Sequence, residues 1–143
     1  MTIDIGPVRT AAEVEACFPV MHALRPHLTG PAELVERVLR QFDQGYHLIA
    51  ARMGAAVVGA AGYRMQENLI RGGFCYVDDL VVDETQRRNG LGAALLDAVA
   101  VEARAAGINR LTLDTGLDNL LGQRFYFRYG MLLASLRFAM ALD

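Results

Sequence analysis

The stretch Arg87-Arg88-Asn89-Gly90-Leu91-Gly92 lies between a segment with the pattern of a buried strand and one with the pattern of an amphipathic helix. The preceding residues, 74–82, form a short apolar run bounded by turn residues, which is typical of a largely buried strand. The following residues, 91–106, carry apolar side chains at the spacing of one helix face, namely Leu91, Ala94, Leu95, Ala98 and Val99. We therefore expect both glycines on the first turn of a helix.

The first turn of such a helix is suited to holding an anion. Its backbone N–H groups have no intrahelical acceptor, and the positive end of the helix dipole lies there. Gly90 and Gly92 lack the Cβ atoms that would block a bulky diphosphate, while Arg87 and Arg88 can add positive charge. A dinucleotide loop would need glycine where Leu95 stands, and a Gly-Lys-Ser/Thr triphosphate loop is absent. The alternative is a tight turn at a helix start that binds nothing.

The spacing Arg-x-x-Gly-x-Gly resembles the acyl-coenzyme-A loop of the GNAT superfamily of N-acetyltransferases. The flanking sequence extends the resemblance over roughly the second half of the chain. An acidic and then β-branched stretch precedes the loop, and a second strand follows the helix. The late segment is similar to the family's last helix, which ends in Phe-Tyr-x-x-x-Gly. The matching positions are Asp78-Asp79-Leu80-Val81-Val82, Asn119, Phe125-Tyr126 and Gly130.

The resemblance implies the GNAT fold for a single domain spanning residues 1–143. This is an α/β (α+β) fold with a mixed central sheet of about six to seven strands, flanked by about four helices. Sequence patterns predict strands at 2–8, 46–52, 55–65, 74–82, 111–115 and 131–141, with a polar loop at 66–73. Helices are predicted at about 10–24, from 31 to a stop at Gly45, at 91–106 and at about 118–129. Thr10 and Glu13 form a predicted capping box, and Pro19 is expected to kink or divide the first helix.

The resemblance also implies acetyl-CoA as the acyl-donor cosubstrate. Its pantetheine arm would lie beside the aspartate-bearing strand, bonded to main-chain groups of Leu80 and Val82 near the thioester. Asn119 corresponds to an asparagine that binds the pantetheine, although a helix cap is an equally good use of this residue. The full set of expected cofactor-binding residues is Leu80, Val81, Val82, Arg87, Arg88, Asn89, Gly90, Leu91, Gly92, Ala93 and Asn119.

Acetyl transfer to an amine requires a base for the amine proton and an acid for the departing thiolate. By its place in the motif, Tyr126 corresponds to the family's acid; the alternative is aromatic packing. Asp78 corresponds to the acidic position that some members use, and its short side chain favours a water relay. Adjacent residues of a regular strand point to opposite faces, so only one of Asp78 and Asp79 is expected to face the acceptor. The alternative is that both carboxylates bind arginine or cap a turn.

The acceptor site is the least defined part of the prediction. The resemblance places it near Met21, Leu24, Arg25, His27, Gln66, Asn68 and Arg71, a mixed set with no pattern. A primary amine of a small molecule would suit the aspartates, whereas the arginines could equally bind a carboxylate. We expect an N-acetyltransferase acting on such an amine by direct transfer. The alternatives are a protein N-terminal or lysine acetyltransferase and a non-catalytic acyl-CoA-binding module.

Composition limits the other functional classes. The net charge of −2 and pI of about 5.9 give no general attraction to nucleic acid or an anionic membrane. Cys17 and Cys75 lack metal-ligand spacing, as do the three histidines, so we predict buried thiols and no metal site. No run is apolar enough to cross a bilayer, and the expected location is the cytoplasm. The sequence leaves a homodimer open.

Overall fold

The structure, a computed structural model, describes residues 2–143 and contains one five-stranded sheet whose strands lie side by side in chain order. Neighbouring strands among the first four are antiparallel, and the fifth strand runs parallel to the fourth. The strands are β1 (Ile3–Val8), β2 (Tyr46–Met53), β3 (Ala56–Asn68), β4 (Gly72–Val82) and β5 (Leu111–Leu113). The helices are α1 (Ala11–Ala16), α2 (Phe18–Leu24), α3 (Pro31–Phe42), α4 (Leu91–Ala105) and α5 (Leu120–Tyr129), with a 3₁₀ turn at Glu84–Gln86.

The first predicted helix is present as two helices. Thr10 and Glu13 form the predicted capping box, in which the Thr10 hydroxyl accepts from the Glu13 N–H and the Glu13 carboxylate accepts from the Thr10 N–H. The chain breaks at Cys17, where Pro19 occupies the first turn of α2. Proline has no backbone N–H, so its ring is tolerated at a helix start and ends the preceding helix there. The expected division at Pro19 is confirmed.

The sheet separates two apolar layers. Helices α1, α2 and α3 pack on one face through residues such as Val14 and Val38, whereas α4 and α5 pack on the other through Leu95, Leu96 and Phe125. Cys17 and Cys75 are free thiols with no exposed surface, one in each layer, as predicted. Helices on both faces of a mixed sheet confirm the predicted fold class, with five strands rather than six or seven.

Two sequence predictions about strands are wrong. The predicted polar loop at 66–73 is the end of a long hairpin, because β3 continues to Asn68 and Gly72 takes up a positive φ of 72° that allows the tight turn. The predicted last strand at 131–141 is absent: residues 131–143 have no regular structure and pair with no strand among residues 2–143. Strand β5 is also shorter than predicted and stops at Leu113.

We found no helix within residues 2–143 that is both long enough and apolar enough to cross a membrane.

Candidate active site

The sheet opens between β4 and β5. These strands pair over only three positions, Cys75 to Val77 with Leu111 to Leu113, while β4 continues to Val82. Beyond Val77 that edge of β4 has no partner strand among residues 2–143, and a cleft of about 380 Å³ begins there. We call it the donor cleft, after the acyl donor that the sequence predicts. It is lined by Leu24, Arg25, Tyr76, Val77, Asp78, Leu80, Leu113, Asp114, Thr115, Gly116, Asn119, Tyr126 and Arg137.

The free edge of β4 presents main-chain groups of alternate residues. The Asp83 N–H donates to the Val58 carbonyl oxygen of β3 at 2.8 Å, so this residue faces β3. Because successive residues of a strand direct their N–H and C=O groups to opposite edges, Val82 and Leu80 face the open side and Val81 faces β3. The geometry therefore agrees with the expectation for Leu80 and Val82. It does not support a main-chain role for Val81, whose side chain packs in the α1–α3 layer.

The glycine loop has an unusual backbone at the start of α4. Arg88 and Gly90 both have positive φ angles, 71° and 75°, and Gly90 is the N-cap of α4. The Ala94 N–H is bonded to the Gly90 carbonyl oxygen, so the preceding N–H groups of Leu91, Gly92 and Ala93 form the helix's unpaired first turn. The side chains of Arg87, Arg88 and Asn89 are exposed around this turn. The first turn of α4 is therefore open to an anion, and binding there stays a prediction.

A glycine at position 92 is needed for helix packing as well as for ligand access. A Cβ atom at this position would lie 3.1 Å from the Cζ atom of Phe125 and 3.3 Å from its Cε1 atom. The absence of a side chain therefore lets α5 pack closely on α4, while Gly90 faces open space. A change of Gly92 to valine would disturb this packing as well as any ligand. The loop is better tested through its arginines.

We expect Arg87→Ala and Arg88→Ala each to weaken acetyl-CoA binding by about three- to tenfold, since each removes one exposed charge that can reach a phosphate. The loss should shrink as salt is added, because added ions screen exposed charges. Calorimetry at two salt concentrations measures both effects. Arg104→Ala, at the other end of α4, is the matched control and should bind normally. Unchanged affinity in both loop variants at low salt would contradict the anion site.

Tyr126 is the tyrosine of the donor cleft whose hydroxyl is free. Three tyrosines donate to carboxylates: Tyr46 to Asp79, Tyr76 to Asp114 and Tyr129 to Asp97. Tyr63 stacks on His47. The Tyr126 hydroxyl has no hydrogen-bond partner in the part of the chain that the structure describes, and it lines the donor cleft. Burial raises the pKa of Tyr126, so the phenol keeps its proton at neutral pH.

Asn119 is the N-cap of α5. Its Oδ1 atom accepts from the Gly122 N–H at 3.1 Å, and its Nδ2 atom donates to the Thr115 hydroxyl at 2.9 Å. A Cβ atom at Gly122 would collide with this side chain, so the cap depends on glycine there. The helix-cap alternative thus describes the structure. Asn119 also lines the donor cleft, where its second amide hydrogen remains for a ligand.

The two aspartates do not point to opposite sides of the sheet, as a regular strand would require. Gly62 of β3 is paired with Asp79 and Tyr63 with Val77, so Asp78 is the extra residue of a β-bulge. A bulge interrupts the alternation of side chains. Asp78 and Asp79 both line a second cleft, of about 330 Å³, which we call the acceptor cleft after the amine acceptor that the sequence predicts. The expectation that only one of them faces it is wrong.

Asp79 holds other residues in place. Its Oδ1 atom accepts from Arg25 Nε at 3.1 Å and Nη2 at 2.9 Å, and its Oδ2 atom accepts from the Tyr46 hydroxyl at 2.6 Å. Gly62 makes room for the Tyr46 hydroxyl, which would lie 1.8 Å from a Cβ atom at that position. With both oxygens occupied, Asp79 serves to fix Arg25 between the two clefts.

Asp78 is less constrained and lies at the junction of the clefts. Its Oδ2 atom accepts from Arg64 Nε at 3.0 Å, and its Oδ1 atom accepts no hydrogen bond from residues 2–143. The Arg64 guanidinium also donates to Gln41. Burial raises the pKa of Asp78 above its ordinary value, against the opposing effect of Arg64. A raised pKa makes the carboxylate a stronger base.

The acceptor cleft includes some of the predicted residues and several that sequence reasoning missed. Met21, Arg25 and His27 line it, and Leu24 lines the donor cleft instead. Gln66, Asn68 and Arg71 lie near the tip of the β3–β4 hairpin and line neither cleft, so the structure does not bring them to the other predicted residues. The missed lining residues are Leu28, Leu34, Arg37, Val38, Gln41 and Tyr46. Gln41 continues the helical spacing of Leu34 and Val38, so it lies on the inward face of α3. A polar residue on that apolar face is the sequence signal that could have indicated a role in the site.

Comparison with known proteins identifies relatives along most of the chain. The Acetyltransferase (GNAT) family model matches residues 13–131. An uncharacterized N-acetyltransferase of Bacillus subtilis, YhdJ, is 28% identical over 129 residues, which cover 87% of each protein. An IAA acetyltransferase of Azospirillum brasilense is 35% identical over 82 residues, and the match spans about half of that protein's length.

Solved structures share the fold at low sequence identity. The aminoglycoside N-acetyltransferase AAC(6')-Iy, solved in complex with CoA, superimposes with a TM-score of 0.86 at 14% identity, over 99% of this chain and 95% of that one. Glucosamine-6-phosphate N-acetyltransferase from Arabidopsis thaliana gives a TM-score of 0.78 at 18% identity, with both chains fully covered. At these identities the likeness extends to the fold alone.

Proposed function

Because this chain belongs to the acetyltransferase (GNAT) family, we propose that it transfers an acetyl group from acetyl-CoA directly to a primary amine of a small molecule. The observation that carries the proposal is the pair of clefts that meet at Asp78. One contains the free phenol of Tyr126 beside an open strand edge, and the other contains two carboxylates. An amine entering from one side and a thioester from the other would meet at this residue.

The donor cleft fits a pantetheine arm. Leu80 and Val82 offer strand-like main-chain groups on the open side, and the first turn of α4 offers N–H groups for the pyrophosphate. Acetyl-CoA would supply a thioester whose carbonyl carbon bonds to the amine nitrogen as the C–S bond breaks. The Leu80 N–H lies on the open edge, where it would donate to the carbonyl oxygen as negative charge develops.

The two proton transfers are assigned to separate residues. Asp78, directly or through a water molecule, takes the proton that the amine loses as it forms the new C–N bond. Tyr126 gives its phenolic proton to the departing thiolate. Partial burial raises the pKa values of both the Tyr126 phenol and the Asp78 carboxyl, so Tyr126 keeps a proton to donate and Asp78 is a stronger base.

The acceptor is proposed as a small molecule because the acceptor cleft, of about 330 Å³, has the size of a small-molecule site and is lined by apolar and charged residues of α2, α3, β2 and β4. GNAT relatives named for aminoglycosides and glucosamine-6-phosphate act on small amines, which is consistent with this choice. The two free thiols fit a reducing, cytoplasmic location, which we include in the proposal.

An acceptor screen tests the proposal. Purified protein with acetyl-CoA is offered a panel of small amines, peptides with free N-termini and lysine peptides, and release of coenzyme A is followed with a thiol reagent. The account predicts thiol release with one class of small amines. Release with peptides alone would favour a protein acetyltransferase, and tight acetyl-CoA binding without release from any amine would favour a non-catalytic binding module.

The pH dependence should show two ionisations on the acidic side. The amine must be neutral and Asp78 must be ionised, so below both pKa values log(kcat/KM) should rise with a slope of about 2. Since burial raises the pKa of Asp78, the change from a slope of 2 to a slope of 1 should occur at a higher pH than the ordinary pKa of an exposed aspartate. In Asp78→Asn only the amine ionises, and the slope should be about 1 throughout. The same steep slope in both proteins would exclude Asp78 from the proton path.

A further inference from the structure

Arg25 and Asp78 are the two described residues that line both the donor cleft and the acceptor cleft. The Asp78 Oδ1 atom accepts no hydrogen bond from residues 2–143, whereas Oδ2 accepts from Arg64. Arg25 Nη2 donates to the Asp78 carbonyl oxygen at 2.9 Å, which holds the guanidinium beside this residue. The junction of the clefts therefore brings an arginine next to the carboxylate that would take the amine proton.

Arg25 has a fixed orientation and one unused edge. Its Nε and Nη2 atoms donate to Asp79, whose other oxygen accepts from the hydroxyl of the buried Tyr46 at 2.6 Å. The two N–H groups of Nη1 have no acceptor in the part of the chain that the structure describes. A guanidinium held by its neighbours loses little freedom when a ligand binds, and its planar N–H groups suit a carboxylate. Arg25 can therefore bind an anionic group of the acceptor.

The surrounding charges favour a carboxylate over a phosphate. Asp78 and Asp79 both line the acceptor cleft, and they would repel a doubly charged phosphate more than a singly charged carboxylate. The second arginine of this cleft, Arg37, is paired at 3.0 Å with Glu33 in the preceding turn of α3, so the pair adds no net charge. A ligand with one amine and one carboxylate matches these paired charges.

The rest of the acceptor cleft is largely apolar. Four of its lining side chains are aliphatic and buried, and each residue has at most 6% of its surface exposed. They offer no hydrogen-bond partner to the hydroxyls of a sugar, whereas an apolar side chain would gain by burial against them. The volume of about 330 Å³ is at the lower end of small-molecule sites. The four residues, which we call the apolar wall, are Met21, Leu28, Leu34 and Val38.

Given the proposed transfer at Asp78, on which this step rests, we propose that the acceptor is an α-amino acid with an apolar side chain. Its amine lies at Asp78, its carboxylate binds Arg25 Nη1, and its side chain lies against the apolar wall. One carbon atom separates the amine from the carboxylate in such a molecule. This short separation fits an arginine that is bonded to the backbone of Asp78 itself.

The reaction at this site uses the residues already assigned. The neutral α-nitrogen forms a bond to the acetyl carbon as the C–S bond breaks. The nitrogen loses its proton to Asp78, and Tyr126 gives its proton to the departing thiolate. The products are an N-acetyl amino acid and coenzyme A, and the substrate's carboxylate stays unchanged on Arg25.

A ligand series with the unaltered protein tests the carboxylate. Leucine, methionine and phenylalanine are each compared with their amide and with the simple amine that lacks the carboxylate. Within a set the side chain is constant, and rates are compared at equal concentrations of the neutral amine. We expect kcat/KM for the best amino acid to exceed that of its amide and its simple amine by about ten- to a hundredfold. Equal values, or a preference for the amide, which resembles a peptide N-terminus, would overturn the proposal.

Arg25→Lys tests the position of the carboxylate. Lysine keeps a positive charge beside Asp79 but lacks the planar fork, so the preference for the amino acid over the simple amine should fall at least about tenfold. Arg40→Lys is the matched control and should keep the full preference, because Arg40 is also paired with a glutamate, Glu36, yet lines neither cleft. A full preference in Arg25→Lys, or its loss in Arg37→Lys instead, would show that the carboxylate does not bind Arg25.

Calorimetry distinguishes a failure of the amino-acid site from a failure of the proposed function. The protein is saturated with coenzyme A, which carries no acetyl group to transfer, and titrated with the same amino acids and their amides. We expect an amino acid to bind at least about tenfold more tightly than its amide, and Arg25→Lys to remove most of the difference. Such binding without thiol release from acetyl-CoA would refute acetyl transfer and support the amino-acid site. Thiol release from simple amines, with no preference for a carboxylate in rate or binding, would support transfer and overturn the site.

Discussion

Replacing Tyr126 by phenylalanine is expected to lower kcat by about ten- to a thousandfold while leaving acetyl-CoA binding nearly unchanged. The variant keeps the ring that packs edge-on against Phe125 at a centroid distance of 5.3 Å, and loses only the hydroxyl. That hydroxyl is the phenol of the donor cleft without another partner in the described residues. The rate is measured at saturating acetyl-CoA with an acceptor found in the screen, and binding is measured by calorimetry.

Tyr129→Phe is the matched control for this prediction. It removes a hydroxyl from the same helix, but one that donates to Asp97 at 2.7 Å. We expect a small loss of stability there and a normal kcat. If both variants turn over like the wild type, Tyr126 is a packing residue. If a better leaving group on the donor restores the rate of Tyr126→Phe, its role as the acid for the thiolate is supported directly.

Asp78→Asn is expected to lower turnover by about ten- to a hundredfold, because the amide keeps the size of the side chain and cannot accept the amine proton. The bond from Arg64 Nε to the remaining oxygen can persist, so the melting temperature should change little. The measurements are kcat, KM for the amine and thermal unfolding.

Asp79→Asn is the paired variant and should behave differently. It weakens a carboxylate that accepts from both Arg25 and the buried Tyr46 hydroxyl, which we expect to cost about 1–3 kcal/mol of unfolding free energy. Its kcat should fall less than that of Asp78→Asn, whereas KM for the amine should rise as Arg25 loses its anchor. A larger loss of kcat in Asp79→Asn would assign the base to Asp79.

Local patterns in the sequence were enough to predict all of the helices and most of the strands of this fold. Thr10 and Glu13 predict a capping box because the two residues lie on one turn, and Gly90 predicts a helix start because its backbone conformation is local. The loop and the Tyr126 position likewise depend on spacing within one or two turns. These features need no knowledge of what packs against them.

The parts that sequence did not predict depend on distant residues. The bulge at Asp78 arises from the pairing of β3 with β4, and it turns two aspartates toward one cleft. Arg64 reaches Asp78 because β3 lies beside β4, and Gln41 joins the site because α3 packs beside the sheet. Gly92 was expected to give access to a ligand, but the ring of Phe125 lies over it. In each case the deciding partner is far away in the chain.

The end of the chain, residues 131–143, shows a different limit. Its alternation predicts a strand at 131–141, yet the sheet edge that pairs with a strand can belong to the same chain or to another one. A pattern of period two specifies a face and leaves the partner unspecified.

The central claim, direct acetyl transfer at the junction of the two clefts, is tested by rapid-quench analysis of a single turnover. Protein in excess over acetyl-CoA is mixed with the accepted amine, and free thiol, acetylated amine and protein mass are measured in the same samples. The account predicts that thiol and acetylated amine appear together at one rate, with no thiol released before the amine is added. Thiol release that precedes the amine, or acetyl groups found on the protein, would contradict it.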